Sequence, residues 1–415
     1  MADKLPNPVS NHVWFRGSKL LRPRIQCIHF GALIWLVLVS CGVARCQAVS
    51  VELKTKTGRN QFHVGEVILL DLLFVASTPD AYERNGGKAF PEPYPMPDTF
   101  LVEPQEGWID PLGDYRKAFF KAMHSGHFPI AESRLSAEHV LGLEPYVFSL
   151  ILNDYVRFFR PGRYILQVQD SGVTPVAAQS GAPQQLVLTS NRLELDILPA
   201  DSEWQQNLLR EALDALAQLQ EAIDSHARSH RSSLDESCVG LRALGVPAAG
   251  TAMVDSLRNE DLFSHCSFQA GILEFPDPKF ILVRLRKRFN DPDFPVTYTF
   301  FNTMAMVSLM AEGHSDHLFG PGQEKIDRRL EQQLVSVISL KRNQAKAESI
   351  STLVKTCFAA YGSDTGEFAR VPREPYRLNS RVLQIATANS EQLSPGVQII
   401  LQNYRKAHGL ETTLH

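Results

Sequence analysis

The chain has 415 residues, 44% of them hydrophobic and 21% charged, a globular composition too long for one ordinary core, so two domains plus extras are expected. Its formal net charge is -3, and no long basic run follows the first few dozen residues. There is thus no electrostatic case for a nucleic-acid partner.

The N-terminus stands apart. Lys4, Arg16, Lys19, Arg22 and Arg24 precede an uncharged stretch, Cys27 to Ala44, whose apolar heart is Gly31 to Val39. A basic segment before a short apolar one has the layout of a secretory signal. The apolar heart is short for a membrane span, which needs about 20 residues. Cys46-Gln47-Ala48 offers small residues at both recognition positions, so cleavage is expected after Ala48, with residues 1–48 a signal peptide and the mature chain secreted or periplasmic. A rival reading is Leu38-Val39-Ser40-Cys41, which resembles a bacterial lipobox and would leave Cys41 lipidated, giving a membrane-anchored lipoprotein. An uncleaved signal is the third possibility; a membrane enters the account only through these last two. Removal of the signal leaves Cys238, Cys266 and Cys357, enough for one bridge and one leftover thiol.

From residue 49 to 199 the apolar residues alternate or cluster in short runs broken by Gly and Pro. Ser50–Thr57 alternates as a half-buried strand does. Gly65 and Glu66 make a turn before the apolar run that ends at Val75. Asp98–Glu103 predicts a short strand, Tyr146–Phe158 a long one, Tyr164–Gln169 a return after the Arg160-Pro-Gly-Arg163 turn, and Arg192–Leu198 a last one. Two stretches read as irregular insertions, roughly Pro79 to Pro97 and Trp108 to Pro145. Short strands joined by Gly/Pro turns predict a β-sandwich.

From Asp201 onward the spacing turns helical. Asp201 or Ser202 caps a helix whose stripe is Trp204, Leu208, Ala212, Leu216, Leu219 and Ile223. A helix is predicted to end at Gly245 and another to start at Pro247. The pattern returns with Cys266 and Pro278, so cysteine and helix-starting proline both recur after about 30 residues, a helical-hairpin spacing. Further helices are predicted over Val296–Met310, Arg328–Leu340, Lys346–Tyr361 and Ser380–Arg405, the last interrupted at Ser394-Pro-Gly396. Gly362–Arg377 reads as a loop. The expected fold is multidomain, all-β then all-α, with the boundary at Pro199 and a helical domain over 201–415.

Two motifs carry a resemblance. Phe62-x-Val-Gly-Glu-x-Ile-x-Leu-x-Leu and Phe159-Arg-Pro-Gly-Arg-Tyr-x-Leu resemble the early and late strands of bacterial immunoglobulin-like and macroglobulin-like domains. The unit Cys238–Leu257 resembles a HEAT-like α-solenoid repeat. The whole layout is similar to that of uncharacterised exported proteins of environmental bacteria, and it implies no particular activity. If the repeats stack, Cys238 and Cys266 fall at matching places on neighbouring first helices, where either a disulfide or two buried thiols would sit.

Catalytic grammar is missing. His124-x-x-His127, with Asp110 and Asp114 upstream, offers ligands for zinc without a third at defined spacing. His226-x-x-x-His230 has the i, i+4 spacing of zinc enzymes but lacks the adjacent glutamate, and positive groups at a helix end explain it more simply. His314-Ser-Asp-His317 reads as an exposed polar turn. Cys357 suits an apolar helix face better than a nucleophile's position, Gly320-Pro-Gly322 lacks the residues of a phosphate loop, and Arg284–Arg288 fits a solvated helix face. No catalytic residue and no cofactor is expected. The expected function is that of an exported, non-enzymatic binding or scaffold protein for protein or peptide partners. The alternatives are an exported metal-dependent hydrolase built on His124 and His127, and an envelope lipoprotein anchored at Cys41.

Overall fold

In the computed structural model, which describes residues 48–87, 98–124, 136–176, 186–224, 231–260, 268–358 and 377–410, strands up to Leu198 give way to helices from Ser202. The change falls where the hydrophobic spacing changes.

The β region opens with β1 (Val49–Thr55), in which every second residue is buried, as its alternation requires. After β2 (Gln61–His63) comes β3 (Leu69–Ala76), the middle strand of a three-stranded antiparallel sheet. Then follow β4 (Tyr82–Gly87), β5 (Asp98–Glu103), β6 (Trp108–Ile109), α1 (Gly113–His124), β7 (Ser136–Leu141) and β8 (Tyr146–Ile151). The small sheet order is β1-β3-β8. After β9 (Arg157–Phe158), β10 (Gly162–Pro175) is the long axis of a seven-stranded sheet, followed along the chain by β11 (Leu186–Thr189) and β12 (Leu193–Leu198). That sheet runs β2-β12-β10-β4-β7, with β5 and β11 also on β10. Leu53, Leu70, Leu72 and Phe74 of the small sheet share one buried cluster with Leu166, Val168 and Leu195 of the large one.

Inside that cluster lies an ion pair. Arg84 of β4 and Asp170 of β10 are both fully buried, with Arg84 Nε and Nη2 on one carboxylate oxygen at 2.9 and 2.8 Å. The guanidinium is held between the rings of Phe74 and Phe148, 4.5 and 4.1 Å from their centroids. At the Arg160-Pro-Gly-Arg163 corner, the Tyr164 hydroxyl donates back to the Arg160 carbonyl at 3.0 Å.

Three sequence expectations are corrected here. The Pro79–Pro97 insertion contains β4, a polar segment made a strand by pairing with both β10 and β7. The Trp108–Pro145 stretch contains α1, whose Tyr115, Ala118, Phe119 and Ala122 are buried at i, i+3, i+4 and i+7. The long strand Tyr146–Phe158 breaks at a 3₁₀ turn, Leu152–Asp154. There Asn153 accepts from the Ile68 N–H at 2.8 Å and donates to the Glu66 carbonyl at 2.9 Å, so the side chain takes over pairing the strand would have supplied.

The helical region comprises α2 (Ser202–Asp224), α3 (Arg231–Leu244), α4 (Pro247–Ser256), α5 (Phe268–Leu273), α6 (Pro278–Asn290), α7 (Tyr298–Ala311), α8 (Pro321–Val337), α9 (Asn343–Phe358), α10 (Arg377–Ala388) and α11 (Pro395–Ala407). The Asp201 carboxylate accepts from the Glu203 N–H at 2.9 Å at the start of α2. Gly245, at φ +62°, ends α3, and Pro at the first turn opens α4, α6, α8 and α11. Among the described residues, no helix is long and apolar enough to cross a membrane.

The β and helical regions belong to one compact unit and, among the described residues, meet at several places, three of them built from side chains. His63 of β2 stacks on Trp204 of α2 at 4.8 Å and contacts the Pro199 carbonyl through Nδ1 at 2.8 Å. Asp154 and Arg157 meet Arg242 and Glu274 in a buried cluster. Helix α1 joins the buried core of the helical region, with Tyr115 and Phe119 edge-on to Phe319.

Candidate functional site

A groove of about 1280 Å³ opens in the helical region. One wall is a face of α2 carrying Leu213, Leu216 and Ala217, of which Leu216 also packs against the core. The floor is the end of α4 and the turn after it, from Asp255 to Glu260. The far wall is the segment around Asp293 and the first turns of α9, from Arg342 to Glu348.

The floor and the far wall are fixed by polar contacts. Arg288 of α6 grips Asp255 through Nε and Nη2, both at 2.6 Å, and reaches Asp291 at 3.1 Å. These carboxylates raise the pKa of Arg288 above its usual range, its hydrogen bond to Asp255 being the largest cause. Thr297 caps α7, accepting from the Phe300 N–H and donating to the Leu257 carbonyl at 2.8 Å. Lys341, buried at the foot of the far wall, donates to the carbonyls of Phe289, Asp291 and Phe294 at 2.8, 2.7 and 2.8 Å. It ties the turn after α6 to the start of α9. Burial pulls its pKa down to about 8, against the opposing charges of Asp291 and Asp293.

Charges of both signs line the groove, Asp293 being paired with Arg342 at 3.4 Å. Asp255, Glu260, Asp293 and Glu348 line it against the guanidiniums of Arg258 and Arg342. Glu260 accepts from the Tyr298 N–H at 3.1 Å and sits 3.7 Å from Lys355. Burial, and then the like charge of Glu260, push the Glu348 carboxyl above the usual carboxylate range, with Lys355 opposing. The amides of Gln220, Asn259, Asn343 and Gln344 add donors and acceptors along the same surface.

The buried cluster between the regions is built differently. Arg157 donates to the Glu274 carbonyl and, at 3.0 Å, to its carboxylate. Arg242 bridges Asp154 and Glu274. The stem of Arg242 crosses α5 at Gly271, where a Cβ would stand 2.5 Å from Arg242 Cγ. With both acids matched to both cations and all four side chains buried, the cluster joins the regions and presents no open face for a ligand.

The residues singled out in the sequence fall elsewhere. His124 ends α1, and His127 lies outside the described residues, as do His226, His230, Cys41 and Cys266. Cys238 is buried on α3 and disulfide-bonded. Cys357 is half-buried on α9. Asp110 and Asp114 line a small recess of about 180 Å³ with Ser315 and Leu318, which places them beside the His314–His317 turn. Of the basic run on α6, Arg284 lies over the Phe280 ring and Arg288 holds the groove floor. Sequence reasoning missed Glu260 and Glu348, whose meeting depends on the packing of elements far apart in the chain.

No protein-family model matches the chain, and no curated protein matches it.

Proposed function

We propose that the chain is an exported, non-enzymatic binding or scaffold protein whose groove between α2, α4 and α9 takes an extended peptide segment of a partner protein. The observation that carries this reading is that Glu260 and Glu348 line one groove, the like charge of Glu260 helping to raise the Glu348 pKa, on an otherwise amide-rich, partly apolar surface. A lysine or arginine of the peptide would sit between the glutamates, its backbone against the amides, and an apolar side chain on Leu213 and Leu216.

The β region is read as an immunoglobulin-like sandwich. Support comes from the two sheets sharing one buried cluster and from the Tyr164 hydroxyl returning to the backbone four residues upstream. The helical region is read as a HEAT-like solenoid, supported by proline-started helices such as α4 and α6. Export is supported by the basic and apolar segments before Ala48 and by the bonded Cys238, which suits an oxidising compartment. The lipobox-like Leu38–Cys41 favours a second reading, an envelope lipoprotein. The mass of the mature N-terminus separates the two: Val49 as first residue supports secretion, and a diacylated Cys41 supports anchoring.

Selection from a displayed random-peptide library against the full chain tests the groove. Enriched peptides should carry Lys or Arg and lose at least fivefold in affinity against Glu348→Gln. No enrichment, or equal binding to Glu348→Gln and Glu260→Gln, would overturn the reading.

A further inference from the structure

We propose that His314, Asp316 and His317 form a zinc-binding site on the turn between α7 and α8. Their three donor atoms lie within 4.8 Å of one another, and all three residues are exposed to solvent. The imidazoles stand 5.6 Å apart, centroid to centroid, and His317 Nε2 is 3.9 Å from an Asp316 carboxylate oxygen. Ligands in a tetrahedral zinc shell sit about 3.3 Å from each other, given metal–ligand bonds of about 2.0–2.1 Å. Small rotations of exposed side chains close the difference, and no buried contact has to break.

The backbone of the turn is held independently of any ion. His314 donates its N–H to the Leu309 carbonyl at 2.8 Å, and the 3₁₀ turn is closed by the His317 N–H on the His314 carbonyl at 3.0 Å. Phe319 adopts a left-handed φ of +62°, and its N–H donates to the Gln323 side chain at 2.8 Å. Gly322 is required beneath His317, since a Cβ there would stand 2.6 Å from His317 Cβ. Leu318 is buried, and Tyr115 and Phe119 of α1 clamp the Phe319 ring. The ligands therefore project from a scaffold fixed before metal arrives, which lowers the ordering cost of binding.

Two imidazoles and one carboxylate select a borderline divalent ion such as zinc over calcium or magnesium, which prefer all-oxygen shells. Three protein ligands leave a fourth position open. A small recess lined by Asp110, Asp114, Lys117 and Ser315 lies beside the turn, its two carboxylates paired with Arg116 and Lys117. The site shares no residue with the groove, so its failure would leave the peptide-binding reading untouched.

The test is zinc titration of the full chain, purified without a histidine tag and stripped with chelator, by competition with a chromophoric zinc indicator. One zinc per chain should be lost at this site in His314→Ala and in His317→Ala, each weakening its binding at least tenfold. Asp316→Asn should weaken it by a smaller factor, and excess calcium should not displace the ion. Far-UV circular dichroism of the zinc-free variants should match that of the parent, which separates lost ligation from lost folding. If the parent takes up no zinc, or if both alanine variants bind it within tenfold of the parent, the site does not exist.

Discussion

Arg157 of β9 donates twice to Glu274, the residue after α5, once to its carbonyl and once to its carboxylate. Both side chains are buried, and Arg242 meets the same carboxylate at 3.4 Å. Burial pushes the Arg157 guanidinium below its usual pKa, and Glu274 is the main opposing influence.

Removing Glu274 should therefore strand two guanidiniums beside a single remaining acid, Asp154. Glu274→Ala is expected to cost about 3–5 kcal/mol in urea unfolding, the range for breaking one side of a buried ion pair. A loss below about 1 kcal/mol, the range of exposed pairs, would mean that the cluster is hydrated and weak.

Gly107 and Tyr164 make a second testable pair. Gly107 has φ +91°, and a Cβ added to it would stand 2.1 Å from the Tyr164 hydroxyl oxygen. Gly107→Ala should lower stability by about 2 kcal/mol or more, combining backbone strain with displacement of the Tyr164 ring. In a Tyr164→Phe background the same substitution should cost less, because the clashing oxygen is gone. Equal costs in the two backgrounds would show that the ring is not what excludes a side chain here.

Lys341 gives a pH dependence with a definite sign. Replacing it by Met removes the donor from three carbonyls, and at pH 7 should cost about 3 kcal/mol. Its pKa is about 8 in the folded chain, below the 10.5 of an ordinary exposed lysine. Between those values the unfolded chain holds a proton that the folded chain has released, so the contribution of Lys341 to stability rises with pH across that window. The difference in unfolding free energy between parent and Lys341→Met should thus widen as the pH is raised from about 8 towards 10.5, with other groups cancelling. A difference that stays flat or shrinks would contradict a lowered pKa.

Much of the architecture was readable from local signals. Alternation fixes β1, and the Gly245–Pro247 and Asp277–Pro278 pairs punctuate the helices, because each depends on a residue's own backbone preferences. Helix α1 was readable too, since Tyr115, Ala118, Phe119 and Ala122 carry helical spacing, but the neighbouring Gly, His and Pro obscured it. Strand β4 was not readable: Asn85, Gly86 and Gly87 have little strand preference, and the strand is held by its pairing with β7 and β10. The groove was hidden for the same reason. Glu260 and Glu348 are ordinary glutamates until the fold sets them together. The His314–His317 spacing was plain in the sequence, whereas the anchoring of that turn by Gly322, Gln323 and α1 was not.

The fully buried Arg84–Asp170 pair bears on which strand pairings the chain rejects. In the observed register Arg84 lies opposite Val173, and the β10 bulge between Asp170 and Val173 is held by the Gly172 N–H on the Asp170 carboxylate at 2.9 Å. A shift of β4 by one residue would turn Arg84 to the opposite face of the sheet. Asp170 would then be a lone anion in an apolar interior, and Phe74 and Phe148 would enclose an empty slot. The pair thus acts as a proofreading device: sliding alternatives forfeit the cation–π contacts and bear an uncompensated charge, which singles out one alignment of β4 on β10.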